Sequence, residues 1–230
     1  MTSTVDIANF ALNSLGANNI STFDENSKPA RLINQRYDSV RDNVFRQHPW
    51  NCLIRRVELA KETDTPAFDY ANQFALPTDP FCLRVLEFSN GTLTFPFDNM
   101  TSNSGGPVFV IEGRKLVTDE GIAKIRYIGR VTDPQEYDAG LVETLAAALA
   151  FELAYAITGS NTVKQIMAAE YTDKLRAAKF VDATEGENTR KLSTLYPHDF
   201  TILNVGIFHL MSGHAVSSLS WINDRPIYRT

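Results

Sequence analysis

The chain has 230 residues, 43% of them hydrophobic and 21% charged, with 12 Gly, 10 Pro and 2 Cys. That balance excludes the disordered, collagen-like and disulfide-scaffold classes and leaves a globular chain with a sizeable core, as one elaborated domain or two small ones. Against 27 Asp+Glu stand 22 Lys+Arg, a formal net charge of -5 with no run of five basic residues, which disfavours a dedicated binder of DNA or of a membrane surface.

Residues 1–6 lack a basic segment followed by an apolar run, so no secretory signal is expected and the chain should fold in a cytoplasm. A short first helix is predicted from Val5, Ala8, Leu12 and Leu15, behind a cap at Ser3 or Thr4 and ahead of a stop at Gly16. A second should open near Asn26 or Ser27 with Pro29 in its first turn. Its stripe of Ala30, Ile33, Tyr37, Val40 and Val44 needs a facing helix, Asp42 and Arg46 are placed for an i, i+4 pair, and His48-Pro49 ends it. Arg31, Arg36, Arg41 and Arg46 recur every five residues, so they spiral by about 140° per step and make no single basic stripe. Trp50, at the exit, is either a partner-facing anchor or, the favoured reading, the lid of the helical core.

From 54 to 128 the period changes. Short β-rich runs at 83–88, 92–97, 108–111, 116–118 and 122–128 alternate with turn signals. Asn90-Gly91 between the first two is a strong hairpin signal, because type I′ turns need positive φ. Glu112-Gly113-Arg114 and Asp119-Glu120-Gly121 mark further turns, and the polar segment 98–107 should be an exposed loop. Asp133, Pro134 and Glu136 have the spacing of a capping box for a third helix running to about 157. That helix is apolar nearly all round. At about 17 residues with Glu143 and Glu152 inside it is short for a bilayer span, and it reads as buried. Gly159 stops it, and Thr162-x-x-Gln165 can cap a fourth helix whose inner face carries Val163, Ile166, Met167, Tyr171, Leu175 and Ala178, with Glu170 and Lys174 paired outside. Residues 187–230 are too apolar for a solvated tail yet have no helical repeat, and so read as a docking arm. The expected class is α+β: a four-helix bundle-like domain (1–53 and 132–186), an inserted antiparallel β subdomain (54–131) and an extended C-terminal arm.

Chemical motifs are sparse. Cys52 and Cys82 form no CxxC and read as ordinary thiols. His48, His198, His209 and His214 make no metal-ligand spacing, and no GxSxG, Walker A or GxGxxG string occurs, so no metal or cofactor is expected. Carboxylate pairs for glycoside hydrolysis stay open, since 27 acids allow many pairings. In the arm, Ile202, Leu203, Val205, Ile207, Phe208 and Leu210 are the expected partner-facing apolar residues. Trp221 and Arg225 join them as residue types enriched at interface hot spots.

The order of several strings resembles the tail tubular protein A family, the head-to-tail adaptors of short-tailed bacteriophages. They are Ala11-Leu12-Asn13-Ser14-Leu15-Gly16; Ala30-Arg31 with Tyr37-Asp38-Ser39-Val40-Arg41-Asp42; His48-Pro49-Trp50-Asn51; Leu76-Pro77-Thr78-Asp79 with Cys82-Leu83-Arg84-Val85-Leu86; Glu112-Gly113-Arg114; Tyr127-Ile128-Gly129 with Asp133-Pro134; residues 149–160; and Asp182-Ala183-Thr184-Glu185-Gly186. The resemblance covers most of the chain. It implies a non-enzymatic virion protein, assembled in the host cytoplasm into a dodecameric ring between the portal protein and the tail nozzle, with genomic DNA only in transit through its channel and no membrane partner. The stretch 195–216 is longer than the family usually carries, while Ser217-Ser218, Trp221 and Arg225 resemble its ending. The alternative from another class is a hydrolase acting on cell-surface polysaccharide.

Overall fold

The computed structural model describes residues 2–92, 94–96 and 109–186. Helix α1 (Thr4–Ser14) begins in a capping box: the Ser3 hydroxyl accepts from the Asp6 amide while the Asp6 carboxylate accepts from the Ser3 amide. It buries Ile7, Ala8, Ala11 and Leu12. Helix α2 (Lys28–Gln47) is capped by Ser27, has Pro29 in its first turn, and buries Ala30, Ile33, Tyr37, Val40 and Val44. Between the two helices, the Asn9 side chain brackets the Ile20 backbone, donating to its carbonyl and accepting from its amide.

Among the described residues seven strands follow: β1 (Ile54–Leu59), β2 (Asn72–Ala75), β3 (Cys82–Ser89), β4 (Thr94–Pro96), β5 (Phe109–Glu112), β6 (Lys115–Thr118) and β7 (Ala123–Gly129). They make two antiparallel sheets, one of order β1-β7-β3-β4 and one of order β2-β6-β5. Leu59, Phe88, Ile125 and Tyr127 of the first sheet and Phe74, Phe109 and Leu116 of the second share one apolar cluster. The chain then enters α3 (Ala139–Thr158) and α4 (Asn161–Gly186).

Helix α3 packs on α1, α2 and α4. With small residues on several sides it lets other axes come close: a Cβ on Gly140 would lie 3.1 Å from that of Ala178 on α4. It is long and apolar enough to cross a membrane by length and composition, and 61% of that window is buried inside the fold. The helical cluster also takes in Trp50, Leu53, Leu83 and Ile128 at the junction with the first sheet.

Several expectations need correction. Asp133 caps only a 3-10 turn, Pro134–Glu136. Tyr137 turns extended there to bury its ring and donate to the Val131 carbonyl, Glu136 pairs with Arg55 instead of closing a capping box, and α3 starts later, capped by Asp138. Helix α4 is entered through Ser160, whose hydroxyl accepts from the Val163 amide, not through Thr162 and Gln165. Ile166 points outward, 56% exposed. Asn90-Gly91 is not a type I′ turn, for only Gly91 has positive φ and four positions separate the paired Ser89 and Thr94. Asp42 does not pair with Arg46 because Arg41 and Arg130 occupy its carboxylate. Strands β1 and β2 lie outside every predicted run. The segment 98–107 lies outside the described residues.

Candidate functional site

Ile202, Leu203, Val205, Ile207, Phe208, Leu210, Trp221 and Arg225 also lie outside the described residues, so the candidate surfaces are those of Met1–Gly186, which forms one compact unit. Trp50 is fully buried, with its indole N–H donating to the Val44 carbonyl at 3.2 Å, as the core reading requires.

Where helices meet sheet, Asp42 on α2 accepts both arms of the Arg130 guanidinium, at 3.2 and 2.5 Å, and also accepts from Arg41, which pairs in turn with Asp38. Such fork-to-carboxylate geometry fixes orientation as well as distance. The Arg130 guanidinium also lies 4.3 Å from the centre of the Phe81 ring, and that of Arg114 lies 3.8 Å from it, so both cations stand against one aromatic ring. Arg114 in addition donates to the carbonyls of Cys82 and Pro77. The result is a braced corner in which α2, the segment before β3, the β5–β6 turn and the exit of β7 hold one another.

Beside that corner lies a cleft of about 460 Å³, floored by Leu76, Leu83 and Ile111 and rimmed by Arg46, Arg84 and Arg114, with no carboxylate among its described lining residues. Arg46 is exposed and enters no ion pair among the described residues. An apolar floor with guanidinium groups at the rim suits an apolar group accompanied by carboxylates. The thiol in the cleft, Cys82, is pushed up to about 11 by burial and so is not a thiolate at neutral pH.

A second polar group fastens the end of α4. His48 Nε2 and Asp182 Oδ2 lie 2.8 Å apart, the Asn51 amide donates to Asp182 Oδ1 at 2.9 Å, and the Asn51 side chain donates to the Asp182 carbonyl at 2.7 Å. Asp182 is buried. A carboxylate oriented on an imidazole invites comparison with a hydrolytic triad, but no hydrogen bond joins Cys52 to His48, and burial raises the Cys52 thiol as well. Among the described residues no cluster of three or more His, Cys, Asp or Glu is placed to hold a metal ion.

Sequence reasoning left Phe81, Arg114, Arg130 and Asp182 without roles. Their partners stand far away in the chain, and the one available signal was that Arg114 and Asp182 sit inside strings of the stated resemblance. No protein-family model matches the chain, and no curated protein is significantly similar to it.

Proposed function

We propose that the chain is a structural subunit of a short-tailed phage tail: a non-enzymatic adaptor that forms a dodecameric ring between portal protein and tail nozzle and leaves a channel for the genome. In this reading the helices act as a bundle-like domain, the strands as its insertion, and residues 187–230 as an arm that docks on a partner through its apolar side chains and Trp221 and Arg225. The observation that supports it most is where the family-like strings meet. The string at 48–51 and the string at 182–186 join in the His48–Asp182–Asn51 group, 134 and 131 residues apart in sequence. The string holding Asp42 is bolted to Arg130, just after Gly129, 88 residues on. The strings that carry the resemblance thus supply side chains at joints of the fold, and that is the support the reading draws from them.

The test is mass. Light scattering on the purified chain, alone and with portal protein added, should show a ring-sized assembly at least in the mixture. A strictly monomeric chain with saturable hydrolytic turnover on a surface polysaccharide would overturn the proposal.

A further inference from the structure

Strands β2 and β6 are antiparallel, so one end of the pair lies at Ala75 and Lys115 and the other at Asn72 and Thr118. The first end borders the arginine-rimmed cleft, where the Leu76 amide donates to the Arg114 carbonyl. At the opposite end the loop before β2 carries Phe68, which at 76% exposure is the most exposed large apolar side chain among the described residues. Asp69, next to it, has φ +69, and the Tyr70 amide donates to the Phe68 carbonyl at 2.9 Å. This is a γ-turn of the rarer, strained hand, and such conformations persist only where surrounding bonds impose them. Those bonds are present: the Ala71 amide donates to Asp119 Oδ1 at 2.9 Å, and the buried Asn72 side chain donates to the carbonyls of Asp119 and Glu120 at 3.1 and 3.0 Å. The aromatic ring is thus held out in water by a stitched loop, with Ile122 exposed on the adjoining turn.

The charges around the two ends are opposite. Asp64, Asp69, Asp119 and Glu120 lie on the two segments that present Phe68, none of them in an ion pair among the described residues, and Lys61 is the single cation on those segments besides. The cleft is lined by Arg46, Arg84 and Arg114 with no carboxylate among its described lining residues; near that strand end Glu62 is neutralised by Lys115, which leaves Glu112, opposite Lys115 in the ladder, as an exposed acid beside three arginines. We propose that the Phe68 knob of one copy seats in the cleft of a second copy of this chain, its carboxylates facing the arginine rim. Neither end is self-complementary, since acid would face acid or arginine face arginine. The contact is therefore head-to-tail, the kind that closes into a ring when its rotation closes. A cleft of this size lies within the range that accommodates ring-bearing ligands. The proposal rests on the ring reading for its direction and adds the surfaces that carry it.

Sedimentation velocity over a range of concentrations tests it. The wild-type chain should associate progressively, and less so as salt is raised, because exposed charge pairs are screened. Phe68→Asp removes the knob and Arg46→Glu reverses the rim. Both side chains are exposed, so the variants should keep the wild-type melt, and each alone should associate at least about thirtyfold more weakly. Phe68→Asp retains an intact cleft and Arg46→Glu an intact knob, so their mixture should form a heterodimer and stop there. Variants that assemble as the wild type does, or a mixture that yields no dimer, would overturn the contact while leaving the ring reading standing. A wild-type chain that stays monomeric at every concentration overturns the contact too, and light scattering with portal then judges the ring by itself.

Discussion

Two tyrosines in the helical core show how little a residue's name says about its contribution. Tyr137 donates its hydroxyl to the Val131 carbonyl at 2.8 Å, whereas the Tyr37 hydroxyl is buried with no partner among the described residues. A net hydrogen bond contributes about 1 kcal/mol, and leaving its acceptor buried and unpaired costs about 1–3 kcal/mol, whereas an unpartnered hydroxyl can be removed for nothing. Tyr137→Phe should therefore destabilise by about 1–2 kcal/mol, and Tyr37→Phe should be neutral or stabilising. The two also differ from exposed tyrosines at alkaline pH. Burial pushes the Tyr37 phenol up from 10 to about 12 and raises that of Tyr137 as well. A group whose folded value is raised contributes stability that is fully present below its unfolded value. For Tyr37 that contribution holds below pH 10 and is lost as pH rises through about 12. Urea unfolding followed from about pH 7 to about pH 11 should show a shallower alkaline decline in Tyr37→Phe than in the wild type. A loss of more than about 1 kcal/mol at neutral pH in that variant would mean the hydroxyl has a partner after all.

Among elements, the helices were the legible part, because a stripe repeating every three and four residues has only one folded use. The stripe Ala30, Ile33, Tyr37, Val40 and Val44 is buried position for position. Strand β1 was illegible for the opposite reason: Arg55, Arg56 and Glu58 give it a charged composition, and it becomes a strand only because β7 pairs along its whole length. In β2, Asn72 and Gln73 are poor strand formers and fell in no predicted run, yet pairing with β6 buries both. The start of α3 was expected at Asp133, and the burial of Tyr137, a tertiary fact, moved it to a cap at Asp138. The cleft was likewise unreadable, since its arginines come from α2, β3 and the β5–β6 turn. At this scale the testable joint is the end of α4. Asp182→Ala deprives the Asn51 amide and His48 of their acceptor and should cost about 1–3 kcal/mol. Hydrogen exchange should speed up over residues 176–186 and stay unchanged over 161–170. Equal acceleration along the whole helix would mean that Asp182 supports global stability and does not fasten the helix end.

At the scale of the molecule, the two apolar clusters of the described residues are built from side chains of Met1–Gly186. A chain truncated after Gly186 should keep a cooperative calorimetric melt close to that of the full chain and lose portal-dependent assembly, as the docking-arm proposal requires. A collapsed melt would place residues 187–230 in the core of the subunit instead. The division of the helices in the chain also has a consequence for synthesis. The apolar stripes of α1 and α2 leave the ribosome first, and their common partner α3 follows only after residues 48–138. At about 5–20 residues per second that gap of roughly 90 residues lasts on the order of 5 to 20 seconds. Throughout it the nascent chain displays half of a core, so a holdase chaperone has its widest opening before α3 emerges. Translational pausing inside the strands, at codons far from any helix, is then expected to lower the yield of folded subunits more than the same pause placed after α3.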